Sequence, residues 1–402
     1  MKNEKVIKWF YAIMGILIIL FLVLLLRNPL GAQLDIFFLK TRNLFADFFN
    51  VMIYIADKDV YFNPVNGTQE KIYLPLAYLF MRLFSGFADY SGLQLEQIYS
   101  ISPAMVSFML FTLGSIFLFF HSLNKISKIN AKMALVLCLS SVFLFTIERG
   151  NLIMIAVACA FYFLAYRNSD RPWLRYLALL SLCVSVVLKG YPIVLGLYLL
   201  EDKRWKDIGF CCVVCLALAF LPFLYFEHGF GNIPQFLSNV RLSNKAYETA
   251  FFPRFGFIVY VQTLLSREII TDGVLYQIGY WLSKGIVCLL SLMSILLFFK
   301  QGIAWKKLML ICLIIAWFPA NNAFYSGLYF VPAIVMFINQ ERFQKMDFVY
   351  MLLFCLFLSP LQFELLGKTV SWMISSMASF AIWVLLIWET ARDYRLSRKP
   401  IR

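Results

Sequence analysis

The chain has 402 residues, of which 62% are apolar, 18% are aromatic and only 14% are charged, with a formal net charge of +14. A water-soluble domain carries about half apolar and a quarter charged residues, so this composition excludes an ordinary soluble domain. The apolar residues gather in uncharged blocks of about 20 residues, the length of a membrane-crossing helix, without the short alternation of strands. The sequence therefore predicts an all-α, polytopic integral membrane protein.

The positive charge indicates how the chain is oriented. Nearly all of the excess lies in one of two alternating sets of loops, and loops rich in Lys and Arg face the cytoplasm. We therefore expect both termini to be cytoplasmic and infer no nucleic-acid binding from the net charge. The basic set comprises Lys2–Lys8, Lys125–Lys132, Arg167–Arg175, Lys203–Lys206, Lys300–Lys307, Arg342–Lys345 and the tail from Arg392.

In chain order, the apolar blocks predict a bundle of about 11 to 12 transmembrane helices that forms one integral unit, residues 1–402. Two large segments, 28–100 and 227–275, are predicted on the outer side. The stretch 72–87 is interpreted as an interfacial or re-entrant helix, because a crossing there would place basic loops outside. The predicted spans lie near residues 9–27, 101–121, 131–147, 150–166, 174–190, 190–201, 208–226, 277–299, 307–323, 325–340, 347–363 and 369–391.

The first outer segment begins with an amphipathic pattern over Leu34–Ile55. Its apolar residues recur at helical spacing, and Asn43, Asp47, Asn50 and Tyr54 form a narrow polar stripe on the other face. Such a helix lies in the membrane interface. The stripe is either a solvated face or the place where a carboxylate meets a lipid-borne substrate.

Asp57 and Asp59, further along this segment, form a D-x-D that could hold a divalent cation, but two carboxylates in a loop are common. We therefore regard a divalent metal as possible and not favoured, and expect no cofactor. All nine cysteines fall inside apolar blocks, which argues against a disulfide framework or an exposed metal cluster.

Two charged clusters interrupt the apolar blocks, Glu148-Arg-Gly-Asn151 and Leu188-Lys-Gly-Tyr-Pro192. Charges this close to the hydrocarbon are usually paired or functional. Glu148 could pair with Arg149, and Lys189 could extend to the interface. In the second outer segment, Arg254 suits the bidentate capture of a phosphate, with an ordinary loop charge as the alternative.

The order Asp47-Phe48, Tyr61, Tyr73-x-Pro75-Leu76, Glu148-Arg-Gly-Asn151 and Leu188-Lys-x-Tyr-Pro192 resembles the GT-C superfamily of membrane glycosyltransferases. It is most similar to glycosyltransferase family 87, and the GPI-anchor mannosyltransferases carry a related series. The resemblance covers about residues 9–210 and implies a GT-C-like bundle. It implies transfer of a hexose from a polyprenyl-phosphate donor to a hydroxyl of a glycan, glycolipid or protein acceptor at the outer membrane face, usually with inversion.

The resemblance implies a role for each candidate site residue. Asp47 matches the acidic residue that acts as general base. Lys189 and Arg254, followed by Arg149, are candidates for stabilising the leaving lipid phosphate. The acid paired with the base in the GPI-type enzymes is absent here, so we expect chemistry without a metal. Substrate contacts are expected from Asn43, Asn50, Tyr61, Tyr73, Glu148, Arg149, Asn151, Lys189, Tyr191 and Arg254.

Two other classes of polytopic protein fit the composition. A polysaccharide polymerase or ligase of the O-antigen type would carry its largest outer loop late in the chain, whereas here the earliest is the largest. A lipid-linked sugar flippase or transporter usually shows internal repeats and helices broken near the bilayer midplane. The clear break here, Phe318–Asn322, is expected near the outer surface.

Overall fold

The structure is a computed structural model that describes residues 3–27, 44–249, 252–257, 260, 273–319, 322–365, 368–369 and 371–397. The described chain is predominantly helical. Its β structure is one short hairpin, β1 (Glu364–Leu365) antiparallel to β2 (Lys368–Thr369), with Glu364 opposite Thr369. The predicted all-α, polytopic membrane class is confirmed, whereas the predicted helical stripe before residue 44, including Asn43, lies outside the described residues.

The described α-helices and short 3₁₀ turns follow one another along the chain. The α-helices are α1 (Asn3–Arg27), α2 (Ala46–Ile55), α3 (Pro75–Arg82), α4 (Leu95–Ile98), α5 (Ser102–Ile126), α6 (Ala131–Cys138), α7 (Ser141–Arg149), α8 (Ile153–Tyr166), α9 (Pro172–Lys189), α10 (Leu197–Glu201), α11 (Trp205–Phe220), α12 (Asn232–Thr249), α13 (Gly273–Phe298), α14 (Ala304–Trp317), α15 (Val331–Ile338), α16 (Asp347–Leu358) and α17 (Ser371–Ser397). The 3₁₀ turns are Thr68–Glu70, Ser85–Phe87, Tyr191–Gly196, Leu221–Tyr225, Gly229–Gly231 and Phe324–Phe330.

Six described helices are long and apolar enough to cross a membrane: α1, α5, α9, α11 with the 3₁₀ turn that follows it, α13 and α17. The pair α6 and α7, bent by 57°, could form a seventh span. Among the described residues, helices of full crossing length are thus fewer than the apolar blocks, and the other blocks form shorter helices. The predicted span 190–201 is a 3₁₀ turn followed by the five-residue α10, because Gly190, at φ 66°, ends α9 and Pro192, the second residue of the turn, cannot continue the helix.

Four other predicted spans correspond to shorter apolar helices: α8, α14, α15 with the 3₁₀ turn before it, and α16. α8 and α14 have 14 residues each, about 21 Å at 1.5 Å per residue. Nine of the 14 residues of α8 and 12 of the 14 residues of α14 are buried inside the protein. A helix that is apolar on all sides is buried, but hydropathy alone cannot separate burial in protein from burial in lipid.

The chain divides into two compact units. The C-terminal unit contains residues 1–37, 127–145 and 251–402, and within it α17 packs on α16 and α13 on α14. The central unit contains residues 38–126 and 146–250, and within it α8 packs between α5 and α9. The predicted site residues of the first 200 positions that the structure describes all belong to the central unit.

The stretch 72–87 forms the eight-residue α3 and a 3₁₀ turn. Pro75 is the first residue of α3, a position where its missing N–H costs no hydrogen bond. At the other end, Arg82 Nη1 donates to the Ile55 carbonyl at 3.1 Å, which ties α3 to α2. At about 12 Å, α3 is too short to cross a bilayer, in keeping with the interpretation that this stretch does not span the membrane.

Candidate active site

Asp47 lies in the first turn of α2, and the backbone around it is held in place. Phe45, just before the helix, adopts a left-handed conformation with φ 56°. Its N–H donates to the carbonyl of Glu148 at 2.7 Å, and its ring stacks on Phe108 with centroids 3.9 Å apart. The start of α2 is therefore fixed against the turn that follows α7.

Gly150 allows that turn to approach α2 closely. Its φ is 64°, which favours glycine, and a Cβ there would lie 2.9 Å from Phe108 Cε2 and 3.1 Å from Phe48 Cβ. A larger residue would push the turn away from α2. The two neighbours of this glycine, Arg149 and Asn151, both reach the Asp47 carboxylate as a result.

The Asp47 carboxylate is bound by one donor on each oxygen. Arg149 Nη2 forms an ion pair with Oδ1, and Asn151 Nδ2 donates to Oδ2 at 2.7 Å. The Asn151 side chain is itself oriented, because its Oδ1 accepts from the N–H of Ile153 at 2.9 Å. A carboxylate has about four acceptor positions, so an oriented Asp47 keeps room for a substrate hydroxyl.

Tyr73 and Lys189 complete the group of residues that the structure brings together around Asp47. Asn151 Nδ2 donates to the Tyr73 hydroxyl at 3.2 Å, and Lys189 Nζ lies 4.9 Å from the centroid of the Tyr73 ring. Lys189 is also within electrostatic range of Asp47. We call these five residues, Asp47, Tyr73, Arg149, Asn151 and Lys189, the carboxylate cluster.

Tyr61 is placed as a support for this cluster. Its side chain is fully buried, with its ring 5.3 Å from that of Phe223 and 5.9 Å from that of Phe226. Its hydroxyl donates to the carbonyl of Tyr73 at 3.1 Å. In this arrangement Tyr61 fixes the backbone of Tyr73, and a direct contact with substrate stays a prediction.

The remaining predicted residues of the central unit surround the cluster. The Glu148 side chain is fully buried, and its backbone carbonyl holds Phe45. Asn50 accepts from Asn66 Nδ2 at 3.4 Å near the protein surface. Tyr191 begins the 3₁₀ turn that follows Lys189 and is half-buried. Their predicted roles in substrate binding stay predictions.

Two residues that the sequence did not single out lie beside the cluster. Glu70 ends the 3₁₀ turn Thr68–Glu70, and the hydroxyl of Tyr247 on α12 donates to its Oε1 at 3.4 Å. Burial, and then the charge of Asp47, raises the pKa of Glu70. Burial, followed by the charges of Glu70 and Asp47, raises the pKa of Tyr247 to about 12.

The loop that carries Glu70 is anchored by Lys71. Lys71 is fully buried, its Nζ donates to the carbonyls of Val65 and Gly67, and it lies 4.1 Å from the centroid of the Tyr54 ring. Burial lowers the pKa of Lys71 to about 8. The carbonyl of Lys71 accepts from Asn239 Nδ2 of α12 at 3.4 Å, which ties the loop to the helix that carries Tyr247.

The D-x-D aspartates are bound by their own surroundings. Asp57 accepts from the N–H of Asp59 at 2.9 Å and from Asn63 Nδ2 at 2.8 Å, and Asp59 Oδ1 lies 3.4 Å from His228 Nε2. Over the described ranges, no three His, Cys, Asp or Glu side chains gather in a way that could hold a metal ion. Asp57 therefore organises its own loop, and Asp59 holds that loop to His228, which directly precedes the 3₁₀ turn Gly229–Gly231.

Arg254 belongs to the C-terminal unit. Its side chain is buried, with the guanidinium 4.7 Å from the centroid of the Phe252 ring, and its backbone pairs with Ala323. Burial lowers the pKa of Arg254 to about 10. Its predicted contact with a phosphate stays a prediction.

The family model of glycosyltransferase family 87 matches residues 72–318, more than half of the chain. The matched stretch includes the carboxylate cluster except for Asp47, which precedes it. No curated protein matches the chain. The match confirms the family indicated by the ordered motifs, and the six long apolar helices fit a multi-pass membrane protein. The chain belongs to glycosyltransferase family 87 and is a membrane glycosyltransferase.

Proposed function

We propose that the chain transfers a hexose from a polyprenyl-phosphate donor to an acceptor hydroxyl, with Asp47 as the general base. The observation that carries this proposal is the carboxylate held by Arg149 and Asn151. Asp47 takes the proton of the acceptor hydroxyl while the hydroxyl oxygen attacks the anomeric carbon. The bond between that carbon and the phosphate oxygen breaks, and attack opposite the leaving group inverts the anomeric centre.

Positive charge beside the carboxylate supports a phosphate leaving group. The phosphate gains negative charge as the sugar leaves, and fixed cations at that position lower the barrier. Lys189 and Arg149 supply two such cations within the central unit, and Arg254 is a third candidate. Since the phosphate is already a good leaving group, we propose metal-independent transfer, and a chelator such as EDTA should leave the rate unchanged.

The ends of the helices support an outer location for the reaction. α8 begins beside Asn151 and is followed by Arg167, and α9 begins after Arg171 and ends at Lys189. Arg167 and Arg171 belong to the basic loop set, which is expected to be cytoplasmic. The 18 residues of α9 cover about 27 Å, close to the hydrocarbon thickness. Asn151 and Lys189 therefore lie at the helix ends opposite the basic loops.

The outer face also fits the proposed substrates. A polyprenyl-phosphate sugar keeps its lipid in the membrane and presents its sugar at the interface, where the carboxylate cluster would meet it. The acceptor would be a hydroxyl of a glycan, glycolipid or protein on the same side. No nucleic acid and no cofactor takes part in this scheme.

Sugar transfer by the purified protein in detergent tests the proposal. The wild type is offered polyprenyl-phosphate mannose, glucose and galactose with methyl glycosides as acceptors, and compared with Asp47→Asn. We expect the substitution to lower kcat by about 10²- to 10⁴-fold, the usual contribution of a general base. Asp57→Asn, another aspartate of the same outer segment, is the matched control and should stay near the wild-type rate.

Two outcomes would contradict the proposal. Equal turnover by wild type and folded Asp47→Asn would assign the base to another residue. Absence of transfer from every donor, in protein shown to be folded, would contradict the reaction itself. Movement of the lipid-linked sugar across vesicles would then favour a flippase, and polymer formation a polymerase.

A further inference from the structure

We propose that Glu70, supported by Tyr247, accepts a hydrogen bond from a ring hydroxyl of the sugar at the carboxylate cluster and so determines which sugar is used. This inference rests on the proposed function. It assigns a specificity-determining residue that neither the motifs nor the proposed chemistry includes. The hydroxyl can belong to the transferred sugar or to a sugar acceptor, and the experiment below separates the two sources.

Glu70 lies three residues before Tyr73 of the carboxylate cluster, on an element other than the helix α2 that carries Asp47. It lies on the 3₁₀ turn before Tyr73, and Tyr247 reaches it from α12, a helix of the second outer segment. Glu70 and Tyr247 both lie within electrostatic range of Asp47 and Arg149. Two outer segments therefore converge on the edge of the carboxylate cluster.

The backbone behind Glu70 is built to hold it in position. Gly67 precedes the turn with φ 80°, a conformation that favours glycine. The buried Lys71 ties the next residue back to Val65 and Gly67, and Asn239 fastens the same loop to α12. Such rigid support from outside the site is expected of a group that positions a substrate.

The hydrogen bonding of Glu70 leaves capacity for a ligand. At 3.4 Å the bond from Tyr247 is long for an O–H donor, and a carboxylate has about four acceptor positions. The side chain is half-buried, so water replaces the missing donors only in part. A sugar hydroxyl is a neutral donor of the required size, and a hydrogen bond to a charged acceptor is stronger than one between neutral groups.

Charge determines which part of the substrate binds to Glu70 and which part binds to the cations Lys189 and Arg149. A phosphate would be repelled by Glu70 and Asp47 together, whereas Lys189 and Arg149 attract it. The cluster therefore has a cationic part suited to the lipid phosphate and an anionic edge suited to sugar hydroxyls. Glu70 acts at that edge as an acceptor when it is ionised.

Deoxy sugars test this assignment directly. Once the wild type transfers one of the panel sugars, analogues lacking single ring hydroxyls are prepared for the donor and, separately, for the acceptor. A site that hydrogen-bonds a hydroxyl discriminates against its absence, and we expect kcat/KM to fall by about 10- to 100-fold for one analogue. In Glu70→Gln that same analogue should show at most a small penalty, because the interaction is already weakened.

Combining Glu70→Gln with the deoxy analogues identifies whether the hydroxyl belongs to the donor or to the acceptor. Coupling with a donor analogue places Glu70 on the transferred sugar, and coupling with an acceptor analogue places it on the acceptor. Tyr247→Phe should weaken the coupling partly. Glu96→Gln, an exposed glutamate of the same outer segment, is the matched control and should keep the full wild-type penalty.

The pH profile provides a second measurement that a merely structural role would not change. Burial and the charge of Asp47 raise the pKa of Glu70. Its carboxylate therefore becomes protonated, and a weaker acceptor, at a pH above the ordinary pKa of glutamate. As the pH is lowered through this region, kcat/KM of the wild type should fall, and Glu70→Gln should lack this decrease. Equal deoxy penalties in wild type and Glu70→Gln would overturn the role of Glu70 alone, whereas absence of transfer by wild type would overturn the proposed function as well.

Discussion

Each of the two units contains an ion pair between an acidic and a basic side chain, but the two pairs differ in how far their side chains are exposed. In the central unit the side chains of Asp47 and Arg149 are each 18% exposed. In the C-terminal unit Lys306 and Glu389, joined at 2.7 Å, are 2% and 1% exposed. Tyr350 donates to the same Glu389 oxygen at 2.9 Å and adds a neutral donor to the closed pair.

This difference separates a pair that holds helices together from one that can meet a substrate. Lys306 and Glu389 join α14 to α17, and both side chains are almost fully buried. A buried pair of this kind must satisfy its charges internally. The pair of Asp47 and Arg149 is partly open, so a hydroxyl or a phosphate can approach it and change its hydrogen bonds. We expect activity to depend on the open pair and stability to depend on the closed one.

The largest expected effect is on catalysis at the open pair. Arg149→Ala removes a donor that orients Asp47 and a cation near the leaving phosphate. Misplacing a catalytic group by about 1 Å can cost about 100-fold, so we expect kcat/KM to fall by about 10²- to 10³-fold with little change in the midpoint of thermal unfolding. Arg241→Ala, an exposed arginine of α12, is the control. Retention of wild-type kcat/KM by Arg149→Ala would break the comparison.

The closed pair should show the opposite pattern. Glu389→Gln leaves Lys306 as an uncompensated buried charge, and breaking such a pair costs about 3–5 kcal/mol of unfolding free energy. The double substitution Lys306→Met with Glu389→Met should recover much of this loss, because an apolar pair needs no compensation. Unfolding in detergent by thermal scans of the single and double variants measures both effects. The folded fraction of each variant should transfer sugar near the wild-type rate.

Gly150→Ala should affect both properties to an intermediate degree. A left-handed conformation costs about 1–3 kcal/mol for a residue other than glycine. The added Cβ would also press on Phe108 and Phe48, which moves Arg149 and Asn151 away from Asp47. Gly114→Ala, where a Cβ meets nothing within 4 Å, is the matched control. Equal stability and activity of both variants would show that the close approach is not required.

The smallest expected effect is the pH dependence of stability that comes from Lys71. Its folded pKa is lowered by burial to about 8, below the ordinary lysine value of about 10.4 in the unfolded chain. Between these values the folded protein binds fewer protons than the unfolded one, so this group makes stability rise with pH across that window. Relative to wild type, Lys71→Met should lack the rise between pH 8 and pH 10.4 in thermal scans.

The part of the site that the sequence predicted consists of residues with a strong local signal. Asp47 stood on a polar stripe, and Arg149, Asn151 and Lys189 interrupted apolar blocks where a charge is costly. The structure brings these residues together, with Gly150 as the reason that two neighbours reach one carboxylate. These residues could be predicted because each polar stripe or charged cluster occupies only a few neighbouring positions in the sequence.

The parts that the sequence did not predict depend on contacts between distant positions. Glu70 and Tyr247 are 177 positions apart, and Lys306 and Glu389 are 83 apart, so no local pattern pairs them. The length of the apolar helices depends on tertiary contacts in the same way. Among the described residues, six helices reach a full crossing length, or seven spans if α6 and α7 form one. Hydropathy identifies apolar blocks, but how much of a block other helices bury, as in α8 and α14, depends on tertiary packing.

The most direct test of the account compares one substitution in each ion pair. Single-turnover transfer is measured for Asp47→Asn and for Glu389→Gln, at equal amounts of folded protein and with the same donor. We expect a loss of about 10²- to 10⁴-fold for Asp47→Asn and a rate near wild type for Glu389→Gln. A wild-type rate in Asp47→Asn, or equal losses in the two variants, would contradict the assignment of the open pair to catalysis.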